Sequence, residues 1–106
     1  MRLVVRGKNV ELTSPIREYA EAKLARLEAL LGEEVPVEVE LGEETKLRPV
    51  AEATVFTKGQ TIRASESADT LRAAVDALVD NLERQVIRYR EKRRVEPRRR
   101  AAHHGE

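Results

Sequence analysis

Few side chains of this 106-residue chain have the types and spacing that catalysis or metal binding needs. The two histidines, His103 and His104, are adjacent near the end of the chain, and neighbouring side chains of a flexible segment do not form a pre-organised base or ligand set. The absence of cysteine excludes disulfides and thiolate metal sites. We therefore predict a protein that is not an enzyme, with no cofactor, no metal site and no small-molecule substrate.

Two glutamates could be taken for the paired carboxylates of a hydrolytic site. Glu38 and Glu40 are two residues apart in a segment where apolar and polar residues alternate. That spacing places both on one face of a strand, and such residues are far more often the solvated face of a sheet. The five glycines do not form a loop that could cradle a phosphate.

Basic residues are the side chains best placed for chemistry, namely the binding of anions. Residues 1–87 carry 12 lysines and arginines against 16 acidic residues, whereas residues 88–100 carry 8 basic residues against Glu91 and Glu96. The net charge of +1 is therefore the sum of an acidic body, residues 1–87, and a basic end. The expected partner of that end is nucleic acid rather than a membrane surface.

The first half of the chain predicts a strand, a helix and a second strand. Residues 2–6 (RLVVR) form a short apolar run, and residues 13–15 (TSP) have the hydroxyl cap and first-turn proline of a helix start. A helical spacing then continues to Gly32, the expected stop, so we predict a first helix over 14–31. Strand 2 follows from four apolar residues in alternation: Val35, Val37, Val39 and Leu41.

The second half predicts a hairpin and a long helix. Residues 43–48 are a charged loop, residues 49–57 and 60–65 are strands 3 and 4, and Lys58-Gly59 is the tight turn between them. Thr70 is one of three candidate caps for a second helix over 71–94, which Pro97 should end. Its apolar stripe is Leu71, Val75, Leu78, Leu82, Val86 and Tyr89.

This order predicts an α+β fold of the type βαβββα, with two helices packed on one face of a four-stranded sheet. The order resembles that of a double-stranded RNA-binding domain. We expect a domain over residues 1–94 and a basic flexible tail, or the start of a linker, over 95–106. No signal peptide or membrane-spanning run is present in the sequence, so we expect a cytoplasmic protein whose isolated domain is monomeric.

Each predicted helix has one purely basic flank and one mixed flank when its residues are placed at 100° steps. In the first helix the basic flank contains Lys23 and Arg26 beside Tyr19. In the second helix the mixed flank contains Arg72, Asp76, Glu83 and Arg90, and the basic flank contains Ala77, Asn81, Arg84, Arg88 and Lys92.

These basic flanks predict an RNA-binding surface. A solvated helix surface is the plain alternative, but neither flank has the interleaved glutamates usual on such surfaces. We expect both flanks to border the groove between the helices and to form one continuous phosphate-binding surface. Its predicted residues are Lys23, Arg26, Arg84, Arg88, Lys92, Arg93 and Arg94. With few aromatic residues to stack on bases, we expect recognition of folded RNA by its backbone and shape.

Several segments resemble the hibernation promoting factors, a family that includes ribosome-associated inhibitor A and was once labelled sigma-54 modulation protein. Residues 12–19 (LTSPIREY), with Lys23-Leu24 and Leu27-Glu28, resemble the family's first helix. Residues 73–76 (AAVD), 80–85 (DNLERQ) and 88–92 (RYREK) resemble its second helix, and 51–54 (AEAT) its hairpin. The resemblance covers about residues 1–94.

The resemblance implies binding to the small ribosomal subunit and its rRNA in the decoding region. There the domain would block mRNA and tRNA, inhibit translation and preserve idle ribosomes under stress. The family's basic positions correspond to Lys23, Arg26, Arg84, Arg88 and Lys92. Two positions depart from its pattern: residues 70–72 (TLR) replace a usual Asp-Met-Tyr, and Asn81 replaces a common lysine.

Two other functions remain open at this point. A generic structured-RNA-binding module shares the helix and strand order, although such modules place their basic cluster at the start of the last helix. A protein-interaction domain that modulates a transcription factor would not need the basic flanks. Long members of the family also continue into a second domain, and residues 98–106 resemble the beginning of the linker to it.

Overall fold

The predicted order of elements is present in the computed structural model, which describes the backbone of residues 1–43 and 48–104 and the side chains of 1–43 and 48–92. Residues 44–47 of the predicted charged loop lie outside the described residues. The elements are β1 (Arg2–Lys8), α1 (Ser14–Leu24), a 3-10 turn (Ala25–Leu27), α2 (Glu28–Leu31), β2 (Pro36–Glu43), β3 (Pro49–Thr57), β4 (Gln60–Ser67) and α3 (Leu71–His104).

The first predicted helix corresponds to α1, the 3-10 turn and α2, which follow one another without a break. Its start is as expected, with Pro15 in the first turn and the Thr13 carbonyl accepting the first helical hydrogen bond from Arg17 at 3.0 Å. The Thr13 hydroxyl, however, caps no backbone N–H. Gly32 ends the helix with a φ angle of +89°, a backbone conformation that residues with a Cβ atom rarely adopt.

The second predicted helix, α3, begins as expected and ends later than expected. Thr70 caps it, since its Oγ1 accepts a hydrogen bond from the Ala73 N–H at 3.1 Å. The expected stop at Pro97 is wrong, because the helix continues to His104. A proline removes only one intrahelical hydrogen bond, and the arginine and alanine residues around it favour the helix. The division into a domain over 1–94 and a tail over 95–106 stays a prediction.

The sheet has the strand order β1-β2-β3-β4, with β1 parallel to β2 and the other neighbours antiparallel. The pairing aligns Val5, Val39, Ala53 and Ala64 in one row across all four strands. These four residues are buried, and the alternate residues of β2 and β3 beside them are buried as well. Side chains that alternate along a strand point to opposite faces, so this face carries the core.

The opposite sheet face is solvated and carries charged residues, as expected for Glu38 and Glu40. Glu38 Oε1 lies 3.6 Å from Arg6 Nη2, and Glu52 Oε1 lies 3.1 Å from Lys8 Nζ. Glu38 thus pairs with an arginine across the sheet rather than with Glu40, which contradicts a paired-carboxylate site.

Both helices pack on the buried sheet face, as predicted, and the core between them is aliphatic. Leu24 and Leu27 from the first helical segment and Leu78 and Leu82 from α3 have no exposed surface. The only phenylalanine, Phe56, is 40% exposed on the open side of the sheet. No helix in the described part of the chain is both long enough and apolar enough to cross a bilayer.

Leu82→Ala should lower the free energy of unfolding by about 2–5 kcal/mol, because it leaves a cavity in this core. Ile87→Ala on the same helix is the matched control. Its side chain is already 43% exposed, so we expect a loss of about 1 kcal/mol or less. Chemical denaturation of both variants measures the difference, and equal losses would contradict the packing described here.

Candidate nucleic-acid interface

The basic flank of the first helical segment faces α3, as predicted, but it meets acidic side chains there. Lys23 Nζ lies 3.5 Å from Asp76 Oδ1. Arg26 Nη2 lies 3.5 Å from Asp80 Oδ1 and 3.1 Å from Glu83 Oε1. We call Asp76, Asp80 and Glu83 the carboxylate row. It borders the groove between the helices and neutralises the two cations that were expected to bind phosphate there.

Tyr19 is the central residue of this contact. Its hydroxyl donates a hydrogen bond of 2.6 Å to Asp76 Oδ1. The Arg72 guanidinium carbon lies 4.6 Å from the centre of the Tyr19 ring, and Lys23 Nζ lies 5.6 Å from it, both within the range of cation–π attraction. One tyrosine therefore joins a cation from each helix to a shared carboxylate.

The pKa of Tyr19 is raised above its ordinary value of 10.0 by this environment. The hydrogen bond to Asp76 is the largest cause, because it favours the protonated phenol; desolvation and the charge of the same carboxylate add to it. Lys23 and Arg72 oppose the rise, since cations favour the phenolate.

The opposite flank of α3 faces β4 instead of α1. The Asn81 side-chain amide donates to Glu66 Oε2 at 2.7 Å, and the Gln85 amide donates to the Arg63 carbonyl at 2.9 Å and to Asn81 Oδ1 at 2.8 Å. Asn81 and Gln85 are thus neutral amides that join α3 to the edge strand.

Arg88 and Lys92 lie on this side of α3, and Arg84 is exposed one turn before Arg88. We call these three cations the outer basic row: Arg84, Arg88 and Lys92. All three are exposed, and none forms an ion pair with another described residue. Arg88 and Lys92 border a shallow cavity of about 150 Å³ together with Gln60 and Gln85. The side chains of Arg93 and Arg94 lie outside the described residues.

The expected convergence of the two basic flanks on one groove is therefore wrong. Lys23 and Arg26 face the carboxylate row, whereas Arg88 and Lys92 lie on the β4 side of α3. Helical periodicity predicts which residues flank the apolar stripe of a helix. It does not predict on which side of that stripe the neighbouring helix packs. Here α1 contacts β1 and α3 covers β3 and β4, so the mixed flank faces α1.

The sequence analysis placed Asp76 and Glu83 on the mixed flank, but it missed that the carboxylate row faces Lys23 and Arg26. Asp76, Asp80 and Glu83 are four and three residues apart, which is the spacing of one helix face, so the signal was present in the sequence. The row forms no metal site: in the part of the chain that the structure describes, no three His, Cys, Asp or Glu side chains are grouped to hold a metal ion.

Comparison with known proteins identifies the family. Residues 3–94 match the family described as Sigma 54 modulation protein / S30EA ribosomal protein. The chain belongs to this family. The match confirms the resemblance seen in its two helices and hairpin, and members of the family are ribosome-associated factors, not known as enzymes.

Individual relatives agree with this assignment. The chain is 37% identical over 92 residues to the ribosome hibernation promoting factor of Escherichia coli K12, which covers 87% of this chain and 96% of that protein. It is 34% identical over 96 residues to the ribosome hibernation promotion factor of Lactococcus lactis, covering 89% of this chain and 52% of that protein. The chain thus spans about half the length of the Lactococcus relative.

A solved structure confirms the α+β fold. The ribosomal subunit interface protein of Coxiella burnetii superposes with a TM-score of 0.75 at 28% identity, covering 87% of this chain and all of that one. The arrangement of two helical segments on a four-stranded sheet is thus that of the family.

The raised pKa of Tyr19 can be tested in a Tyr89→Phe variant, in which Tyr19 is the only tyrosine. Phenolate absorbance should show Tyr19 ionising above pH 10.0, and Asp76→Asn should lower its pKa towards that value. Because the folded-state pKa is raised, the interaction contributes to stability below the ordinary tyrosine pKa and is lost as the pH rises through the folded-state value. A pKa that Asp76→Asn leaves unchanged would contradict the hydrogen bond.

Proposed function

We propose that this chain is a ribosome hibernation factor that binds the small ribosomal subunit and its rRNA in the decoding region. Bound there, it blocks mRNA and tRNA, inhibits translation and preserves idle ribosomes under stress. The chain acts in the cytoplasm, as a monomer in isolation, without a catalytic step or a cofactor. Membership of the family and the ribosomal names of its relatives support this proposal.

The observation that carries the proposal is the outer basic row. Arg84, Arg88 and Lys92 follow one another at four-residue intervals, so their charges are spaced about 6 Å apart along the helix axis. Exposed cations that form no ion pair with another described residue are available to neutralise phosphates and release the counterions condensed on RNA. Arg93 and Arg94 follow directly in the sequence and extend the same positive charge.

Lys23 and Arg26 complete the proposed RNA-binding residues from the other side of α3. Their side chains are 39% and 47% exposed, so phosphates can reach them even though both are held in ion pairs. We propose that they add to a surface whose main contacts come from the outer basic row.

Aromatic stacking contributes little to the proposed binding. The Tyr19 hydroxyl is bonded to Asp76, and the Tyr89 hydroxyl donates to the Lys58 carbonyl at 2.9 Å, so both rings are held against the domain. Single-strand binders present free aromatic faces to bases. The interface is instead suited to the backbone and shape of folded rRNA.

The double variant Arg84→Ala/Arg88→Ala should weaken binding to purified small subunits and flatten its salt dependence. The slope of log affinity against log salt should fall by about one unit per lost phosphate contact. The control is Arg72→Ala/Arg90→Ala, which removes the same charge from the flank that faces α1. A melting curve checks folding. If the control variant loses binding while Arg84→Ala/Arg88→Ala retains it, the flank has been assigned wrongly.

Binding should also exclude mRNA and tRNA from the small subunit, if the site is the decoding region. Subunits preloaded with both should take up less of the chain than empty subunits in a cosedimentation assay. Naked duplex RNA and partner proteins are the comparison ligands. Equal binding to duplex RNA would indicate a generic RNA-binding module, and binding to a transcription factor alone would indicate a protein-interaction domain.

A further inference from the structure

Lys23 of α1 and Arg26 of the turn after it contact three carboxylates of α3. Lys23 shares Asp76 with the Tyr19 hydroxyl, and Arg26 contacts both Asp80 and Glu83 through one guanidinium nitrogen. Lys23 and Arg26 thus face three carboxylates in the groove between the helices, and Arg72 of α3 lies beside them on the Tyr19 ring. A phosphate that approaches Lys23 or Arg26 there also approaches the carboxylate row, which repels it.

We infer that the carboxylate row sets the RNA affinity of this chain by competing with phosphate for Lys23 and Arg26. The inference rests on the proposed function, because the competing ligand is the rRNA backbone. Exposed ion pairs contribute little to stability, so a phosphate can exchange with a carboxylate at these cations. The displaced carboxylate stays beside the phosphate, however, and this repulsion opposes the new contact.

Arg26 is the cation on which this competition acts most strongly. Its Nη2 atom lies within 3.5 Å of two carboxylates, and the nearer of these, Glu83, also accepts a hydrogen bond from it. The outer basic row has no described acidic partner, so it keeps its full attraction for phosphate. The proposed RNA-binding cations with described side chains therefore fall into two groups. Lys23 and Arg26 are held by carboxylates of α3, whereas the outer basic row forms no ion pair with a described residue.

The test is the double variant Asp80→Asn/Glu83→Gln, which releases Arg26 without removing any basic residue. Asp76 is kept because Tyr19 donates its hydroxyl hydrogen to it. We expect roughly fivefold tighter binding to purified small subunits. Two exposed ion pairs are released, and breaking each of them costs less free energy than a tenfold change in affinity represents. The salt dependence should become steeper, because an additional cation now contacts phosphate.

The matched control is Glu18→Gln/Glu91→Gln. It also removes two negative charges from exposed helix positions, and neither glutamate forms an ion pair within the described residues. If it strengthens binding as much as Asp80→Asn/Glu83→Gln does, net charge alone explains the effect and the inference is overturned. Melting curves establish that all variants are folded.

The same substitutions in an Arg26→Ala background separate competition for Arg26 from direct repulsion of RNA. If the carboxylates act by holding Arg26, Asp80→Asn/Glu83→Gln should add no more than the control pair once Arg26 is absent. An undiminished gain would overturn the inference. If neither the unmutated chain nor any variant binds small subunits, the proposed function and this inference are both overturned. If they bind but the two double variants do not differ in affinity, the inference alone is overturned.

Discussion

Leu78 and Leu82 of α3 have no exposed surface because they lie against a sheet face built from valine, leucine, isoleucine and alanine. The described core contains no aromatic ring, and the chain has no cysteine, so aliphatic packing is the interaction on which the fold depends. One face of a four-stranded sheet is too wide for a single helix to cover. Both α3 and the segment from α1 to α2 must therefore pack on it, side by side.

This packing also fixes the rotation of α3 about its axis, and with it the distribution of charge on the surface. Once the leucines point into the sheet, Asp76, Asp80 and Glu83 turn towards Lys23 and Arg26, and Arg88 and Lys92 turn towards β4. Surface ion pairs are individually weak and do not determine this rotation. The apolar core sets the positions of the helices, and the charged residues pair according to those positions.

In the proposed function, binding depends on exposed charge rather than on an enclosed pocket. A ligand with regularly spaced negative charges, such as the backbone of folded RNA, suits the outer basic row. The groove between the helices is less suited to it, because its cations already have acidic partners. The family assignment supports a ribosomal partner, and the exposed positive charge separately suits a ligand with many negative charges.

The sequence by itself determined the order of the elements, the α+β class and the family, but not the end of α3, which continues past Pro97. Alternation in β2, helical spacing in α1 and α3, and the end at Gly32 are local properties, because each depends on residues within a few positions. The sequence also showed that each helix has a basic flank. Only the tertiary structure decided that Lys23 and Arg26 face Asp76, Asp80 and Glu83, since this depends on the side of α3 on which α1 lies. The position of α1 beside α3 is set by the crossover connection from β1 to β2, which lays α1 on the sheet. This is a long-range property, and the periodicity of a single helix does not encode it.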